Sequence, residues 1–205
     1  MFELFADSTP NARKISIMLE EINEKYLVTF INLNKGEQFH EDFKKISPFS
    51  KIPVLRHENQ TIFESGAILI YLANFSGEFY GLNQNLTTQW LMAQMGYIGP
   101  MLGQHHQFHH YNPGKSEFGE QRYFKIAETI YKNLDDHLSN NEYLAREYSI
   151  ADMATFPWIA RHPIHDIGLN KYLNLTRWYN KIAIRPAVIK GYDLLKDGTV
   201  PPSVN

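Results

Sequence analysis

The sequence predicts an α+β domain in residues 1–77, followed by an all-α domain in residues 86–196. Two observations support this division. Strand-like and helix-like patterns alternate as far as Gly77, whereas no strand pattern recurs after Leu86. A chain of 205 residues is long enough for two small domains. Residues 197–205, which include Pro, Gly and Ser, are expected to form a loose tail.

The first domain is predicted to contain four strands and three helical segments. Its first helix has a clear start, because Ser8 or Thr9 can cap it and Pro10 suits its first position. In chain order, the elements are a strand at 2–5, a helix from 10, a strand at 26–33, a weakly helical segment at 36–46, strands at 54–56 and 61–63, and a helix from 67 that ends at Gly77.

The order β-α-β-α-β-β-α determines how the strands pair. A helical crossover between the first two strands implies parallel pairing, and the hairpin formed by the last two implies antiparallel pairing. The sequence therefore predicts a mixed four-stranded sheet with helices on its faces, as in thioredoxin-like folds.

The second domain shows helical periodicity throughout. A long apolar stripe from Trp90 to Leu102 should be kinked at Gly99-Pro100, because proline removes one intrahelical hydrogen bond. Ser149-Ile150-Ala151-Asp152 has the form of a capping box and precedes an apolar helix that should be buried. Further helices are predicted at 123–138, 172–184 and 186–195.

Composition excludes several classes of function. The net charge is −2, so neither nucleic acid nor an anionic membrane is an expected partner. No apolar run is long enough for a membrane span, and the start of the chain lacks the basic region of a signal peptide, which leaves a cytoplasmic location as the expectation. The chain has no cysteine, so any thiol chemistry would need a sulfur from a bound small molecule.

Two neighbouring stretches, Lys51-Ile52-Pro53 and Glu64-Ser65-Gly66, carry the strongest functional signal. Pro53 can enter a strand at little cost and its peptide bond is one that can be cis. Ser65 suits a helix N-cap, and Glu64 lies beside the positive helix end. Together these groups are suited to a small zwitterionic peptide, although an ordinary strand, turn and capped helix would explain them equally well.

This layout and its motifs resemble the cytosolic glutathione transferases along almost the whole chain. Thr9-Pro10-Asn11, Phe63-Glu64-Ser65-Gly66-Ala67 and Gly99-Pro100-Met101-Leu102-Gly103-Gln104 resemble more closely the nu-class and disulfide-bond reductase members. The resemblance implies the glutathione transferase fold, with a thioredoxin-like domain first and an all-helical domain second. It also implies a homodimer and glutathione, reduced or oxidised, as substrate or bound thiol without a metal.

The resemblance assigns roles to individual residues. It places Thr9 and Asn11 at the glutathione sulfur as the catalytic pair. The backbone of Ile52, held by a cis Pro53, would meet the cysteinyl part of the peptide. The remaining glutathione contacts that it implies are Gln38, Lys51, Glu64, Ser65 and Arg122. Glu64 would take the γ-glutamyl amine, Ser65 the γ-glutamyl carboxylate, and Arg122 a ligand carboxylate.

The start of the first helix supplies the groups that can stabilise a thiolate. Free N–H groups and the helix dipole favour an anion there, and the Thr9 hydroxyl and Asn11 amide can each donate a hydrogen bond. A glutathione thiolate could then attack a disulfide, and a second glutathione could resolve the product. In the alternative interpretation, Thr9 only caps the helix and Asn11 is a solvated residue of its first turn.

Histidines at positions 105, 106, 109 and 110 form two pairs at the i, i+4 spacing that can chelate a metal. The pattern is not a zincin motif, because His106 stands where a general-base Glu is needed. The resemblance instead places this region by the second-substrate pocket, whose expected residues are Gln104, His105, Phe108 and His109.

The predicted function is therefore a glutathione-dependent disulfide-bond reductase with possible transferase and peroxidase activity. A non-catalytic glutathione-binding protein of the same fold is the main alternative, and a metal-binding helical protein is a weaker one.

Overall fold

The computed structural model describes residues 1–204, which form two compact units. The first unit comprises Met1–Tyr80 together with Ile184–Pro201, and the second comprises Gly81–Ala183 and the residues from Pro202 onward. Within residues 1–204, no helix is both long and apolar enough to cross a membrane.

The first unit is built on a mixed four-stranded sheet with the order β2-β1-β3-β4. β1 pairs in parallel with β2, and β3 pairs antiparallel with both β1 and β4, which confirms the topology predicted from the order of elements. The elements up to residue 80 are β1 Phe2–Ala6, α1 Pro10–Glu21, β2 Tyr26–Phe30, α2 Glu41–Lys44, β3 Val54–His57, β4 Gln60–Phe63 and α3 Ser65–Ser76.

Between β2 and β3, the chain is less regular than the helical segment predicted at 36–46. Two 3-10 turns, Leu33–Lys35 and Glu37–Phe39, precede the single-turn helix α2. Phe43 of α2 is buried against Phe5 and Val54 of the sheet. Phe43 is the one buried residue between Leu33 and Lys44, so burial rather than helix propensity fixes the path of this segment.

The second unit is helical, and its described part contains no strand other than an isolated bridge between Ala145 and Glu147. Its helices are α4 Gln84–Ala93, α5 Gly99–His105, α6 Glu117–Leu138, α7 Ile150–Ile159, α8 His162–His165 and α9 Leu173–Ala183. The irregularity expected at Gly99-Pro100 takes the form of a π turn, Gln94–Ile98, between α4 and α5. A second π turn, His106–Tyr111, follows α5.

The capping box at the start of α7 is confirmed. The Asp152 carboxylate accepts hydrogen bonds from the Ser149 N–H at 3.1 Å, from the Leu144 N–H at 3.0 Å and from Trp178 Nε1 at 2.8 Å. Both Asp152 and Trp178 are fully buried. Asp152 therefore connects α7, the preceding loop and α9, and α7 is buried along nearly its whole length as its composition predicted.

A last helix, α10 Pro186–Tyr192, belongs to the first unit, although the sequence assigned residues 186–195 to the second domain. It packs on α1, where Ser16 Oγ donates to the Gly191 carbonyl and Arg13 Nε donates to the Tyr192 carbonyl. Residue 205 of the expected tail lies outside the described residues. Within that tail, Pro202 is held by a 2.7 Å hydrogen bond from the Tyr179 hydroxyl.

Candidate functional site

The first unit contains an open groove of about 130 Å³ at one end of its sheet. The groove lies where α1 begins after β1, where the chain enters β3, and where β4 turns into α3. Its lining residues are Asn11, Ser47, Phe49, Lys51, Ile52, Pro53, Phe63, Glu64 and Ser65. Both stretches that carried the functional signal in the sequence thus meet in one groove.

The loop before β3 is held by side-chain hydrogen bonds to its own backbone. Ser47 Oγ donates to the Lys51 carbonyl at 2.7 Å and accepts from the Lys51 N–H at 2.9 Å. The Ile52–Pro53 peptide bond is cis, as the resemblance implied. Ile52 packs against the cluster of Phe5, Phe43 and Val54, so this loop is anchored to the core while Lys51 remains exposed on the groove.

The turn from β4 into α3 places Glu64 and Ser65 side by side on the groove. Glu64, rather than Ser65, is the N-cap residue; it has a positive φ of 70° and its side chain makes no capping bond. Ser65 is the first residue of the helix and is 3% exposed. The first turn of α3 therefore begins at the groove without a side-chain cap, an arrangement that favours an anion.

A buried lysine lies beneath this turn. Lys14 on α1 is 1% exposed, and its Nζ donates to Ser65 Oγ at 3.3 Å. Burial lowers the pKa of Lys14 to about 7, and the charge of Glu64 partly opposes this effect. The sequence analysis missed Lys14, although its position one turn before the apolar Met18 places it on the same face of α1.

Asn11 lines the groove, whereas Thr9 is not among the lining residues. Thr9 is the N-cap of α1, and its Oγ1 accepts a hydrogen bond from the Ala12 N–H at 3.3 Å. Thr9 therefore caps α1, as the alternative interpretation of the sequence expected. It uses an acceptor position of the hydroxyl, and the hydroxyl hydrogen can still be donated.

Two residues that the resemblance assigned to glutathione lie away from the lining. Gln38 is half-buried in a 3-10 turn, and its Oε1 is buried with no hydrogen-bond partner among residues 1–204. Arg122 is exposed on α6 in the second unit. Ser47, Phe49 and Phe63 line the groove in addition to the predicted residues.

The residues expected around a second substrate occupy different environments within the second unit. Gln104 is exposed on α5, and Phe108 is half-buried and stacks on Tyr123. His109 is half-buried, lies 3.4 Å from the Asp166 carboxylate and stacks on His105. His105, however, is fully buried and bonds the His165 carbonyl through Nε2 at 2.8 Å. Its expected place in a second-substrate pocket stays a prediction, and the structure adds that its ring is enclosed and bonded within the second unit.

Three buried side chains form a hydrogen-bonded chain inside the second unit. The two Nε2 atoms of His106 and His165 are 2.7 Å apart, and His165 Nδ1 is 2.5 Å from the Tyr131 hydroxyl. Burial lowers the pKa of His106 to about 3 and that of His165 well below its usual value, so both rings are held neutral. No group of three or more side chains suited to a metal ion occurs among residues 1–204.

A unit built on a mixed four-stranded sheet, with a groove at one end of that sheet, is here followed by a helical unit, and this combination defines a class of two-unit proteins. The family model of the glutathione S-transferase amino-terminal domain matches residues 2–74, and the model of the carboxyl-terminal domain matches residues 104–186. The chain belongs to the glutathione S-transferase family.

Individual relatives agree with this assignment. The disulfide-bond oxidoreductase YfcG of Escherichia coli is 39% identical over 207 residues, covering 96% of this chain and 95% of that protein. A glutathione transferase from Pseudomonas putida, solved with one glutathione disulfide bound per subunit, superposes with a TM-score of 0.89 at 36% identity, covering 94% of this chain and 91% of its own.

A second solved relative binds two ligands. The glutathione transferase from Burkholderia graminis, which holds two glutathione molecules per subunit, has a TM-score of 0.89 at 33% identity and covers 96% of this chain and 89% of its own.

Proposed function

We propose that this protein binds glutathione in the groove of its first unit and uses the glutathione thiolate to reduce disulfides. One observation carries the proposal: the groove presents a carboxylate on Glu64, a hydroxyl on Ser65 and the first turn of α3 at one end, and Asn11 at the start of α1 at another. These groups are complementary to a zwitterionic peptide that carries a sulfur.

The γ-glutamyl end of glutathione accounts for the charges at α3. Its ammonium pairs with Glu64, and its α-carboxylate accepts from the Ser65 hydroxyl and the first-turn N–H groups, where the helix dipole adds to the attraction. The Ile52 backbone beside cis Pro53 holds the cysteinyl part by main-chain hydrogen bonds. Lys51 and Gln38 are proposed as further contacts to ligand carboxyl or peptide groups, and the role of Arg122 stays a prediction from the family resemblance.

The sulfur then lies near the start of α1. A free thiol is only slightly ionised at neutral pH, and the thiolate is the reactive form. Asn11 donates through its amide, Thr9 through its hydroxyl, and the α1 dipole favours the negative charge. A cysteine-free protein can thus carry out thiol chemistry with a borrowed sulfur.

Disulfide reduction follows in two exchange steps. The bound thiolate attacks one sulfur of the disulfide, so that a mixed disulfide forms and the other sulfur leaves as a thiolate that takes up a proton. The thiolate of a second glutathione attacks the glutathione sulfur of the mixed disulfide, releasing the second thiol and forming glutathione disulfide. Two relatives support these two exchange steps: YfcG is named a disulfide-bond oxidoreductase, and the P. putida relative was solved with bound glutathione disulfide.

The test is glutathione-dependent reduction of 2-hydroxyethyl disulfide, measured by coupling glutathione disulfide formation to glutathione reductase and NADPH. The wild-type protein should reduce it faster than the uncatalysed mixture, and Glu64→Gln should raise the KM for glutathione. Calorimetric binding of glutathione without turnover would instead support the non-catalytic binding protein. Conjugation of an aryl halide and reduction of a hydroperoxide test the transferase and peroxidase activities.

We also propose that the protein acts as a homodimer. Phe49 is 70% exposed although it is a large apolar residue beside the groove. Phe63, which is 39% exposed, lines the same groove, and neighbouring exposed apolar side chains are suited to a partner surface. Light scattering after size exclusion should give twice the 23.9 kDa mass of the chain, and Phe49→Ser should shift the population toward monomers.

A further inference from the structure

Lys14 is the most unusual charged residue of the first unit. It is 1% exposed, and lysine is rarely buried to this extent unless its charge is compensated. Its Nζ lies 3.3 Å from Ser65 Oγ, directly behind one of the residues that line the groove. The mechanism of disulfide exchange makes no use of this side chain.

The charged groups around Lys14 show which part of the first unit its amine interacts with. Glu64 is the carboxylate that influences it, across the start of α3. The adjacent Arg13 is directed elsewhere, to Ser8 Oγ at 2.6 Å and to the Tyr192 carbonyl of α10 at 3.1 Å. The amine of Lys14 is therefore coupled to the Glu64-Ser65 turn rather than to α10.

We propose that Lys14 is a positioning residue of the glutathione site, which orients the Ser65 hydroxyl and takes up a proton when the γ-glutamyl carboxylate binds. The inference rests on the proposed function, because it assumes that this carboxylate binds at Ser65. Beyond that function, the inference assigns a role to a residue outside the groove and couples ligand binding to the uptake of a proton.

The hydrogen bond explains the positioning role. Lys14 donates to Ser65 Oγ and so occupies an acceptor position of that oxygen. A hydroxyl has a single hydrogen, which the bond from Lys14 directs away from α1 and toward an anion in the groove that Ser65 lines. The donated bond also polarises the O–H group and strengthens its hydrogen bond to a carboxylate.

The charge of Lys14 explains the proton uptake. With a pKa of about 7, the amine is divided between its neutral and charged forms near neutral pH. A carboxylate at Ser65 favours the charged form and raises the pKa of Lys14. The ligand ammonium acts in the opposite direction, but it pairs with Glu64, whose side chain is exposed to solvent, so the carboxylate beside the buried amine has the larger effect.

The experiment measures proton uptake by calorimetry in buffers with different ionisation enthalpies. S-methylglutathione is the probe, because it has no thiol to titrate. Near pH 7, where the ligand's own amine is still charged, the wild-type protein should take up a fraction of a proton, and its affinity should fall as the pH rises past 7. Lys14→Met should abolish the uptake and weaken binding about tenfold.

Two further variants separate charge from packing. Lys14→Arg keeps a positive charge that does not titrate, so it should bind without proton uptake. Lys25→Met makes the same chemical change at an exposed lysine of the same unit and should leave both affinity and uptake unchanged. An analogue in which the γ-glutamyl α-carboxylate is an amide should bind wild type and Lys14→Met equally.

The outcomes distinguish this inference from the proposed function. Undiminished proton uptake in Lys14→Met or Lys14→Arg would overturn the role of Lys14 while leaving glutathione binding intact. An equal loss of affinity for glutathione and its amide analogue in Lys14→Met would indicate only structural damage and would also overturn it. No binding of S-methylglutathione or glutathione by the wild-type protein would overturn the proposed function itself. If Lys14→Met does not fold, the wild-type pH dependence and Lys14→Arg still decide the question.

Discussion

Gly191 of α10 approaches the backbone of α1 so closely that a methyl group on its Cα would lie 2.5 Å from the Ile17 nitrogen. The obstructing atoms belong to a buried helical backbone and cannot rotate away. The same contact includes the hydrogen bond from Ser16 Oγ to the Gly191 carbonyl. The packing of α10 therefore fixes the position of α1, whose N-cap is Thr9 and whose first turn contains Asn11.

Replacing Gly191 by Ala should destabilise the first unit by about 2 kcal/mol or more, because the helices must separate to admit the methyl group. Urea unfolding followed by circular dichroism measures this difference. Gly96→Ala is the matched control, because a Cβ there meets nothing within 4 Å and should change stability by less than about 1 kcal/mol. Equal stability of the two variants would contradict the proposed close packing.

The groups at the start of α1 should affect turnover more than binding. Asn11→Ala removes a side chain that lines the groove, and it should lower kcat for disulfide reduction by about tenfold or more, with a smaller change in glutathione affinity. If Asn11 stabilises the thiolate, the acidic limb of the pH–rate profile should also move to higher pH.

Thr9 requires a separate comparison because it also caps α1. Thr9→Ala should cost about 1 kcal/mol of stability from the lost cap, as well as activity. Thr9→Ser keeps the hydroxyl and should retain both. If Thr9→Ala retains full turnover per folded molecule, Thr9 is a cap alone and Asn11 with the helix dipole accounts for the activation.

Asp152 should be among the residues of the second unit that are least tolerant of change. The buried Asp152 carboxylate accepts hydrogen bonds from three parts of the second unit, and in Asp152→Asn one of its oxygens is replaced by an NH2 group that cannot accept them. The substitution should lower the free energy of unfolding by about 3 kcal/mol. The exposed Asp136, paired with Lys132 on α6, provides the control, and its change to Asn should cost less than about 0.5 kcal/mol. Thermal melting of both variants tests this difference.

The parts of the fold that depend on local sequence were predictable. Short runs rich in apolar, β-branched and aromatic residues indicated the strands, the Thr9-Pro10 start indicated α1, and the Ser149–Asp152 box indicated the start of α7. The proximity of Ile52-Pro53 to Glu64-Ser65 could also be predicted, because the hairpin between these two stretches brings its two ends together.

The features that the sequence did not reveal depend on contacts between distant residues. A lysine in an ordinary helical segment carries no sign that Ser65, 51 positions later, lies against its amine. His105 follows a polar pattern in the sequence but is enclosed by elements up to 60 positions away. The packing of α10 on α1 likewise joins residues separated by 175 positions.

The buried pair of His106 and His165 should make the protein less stable in mild acid. Both pKa values are lowered in the folded state, that of His106 to about 3, so below the usual value of 6.5 the unfolded chain binds protons that the folded chain excludes. The two neutral rings make their full contribution to the free energy of unfolding above pH 6.5. This contribution is lost as the pH falls from 6.5 toward 3. The loss due to His106 grows with each pH unit below 6.5 until that ring itself takes up a proton near pH 3. Urea unfolding at several pH values measures the slope.

The comparison that isolates this effect is between the wild-type protein and His106→Gln. Asp152, whose pKa burial raises to about 6, contributes with the opposite sign, because the folded state then holds a proton that the unfolded chain releases. This contribution is common to both proteins and cancels. The variant should therefore lose less stability than wild type for each pH unit below 6.5, while His40→Gln, at an exposed histidine, serves as the control. If the free energy of unfolding falls with pH equally steeply in wild type and in His106→Gln, the buried ring does not resist protonation and the prediction is wrong.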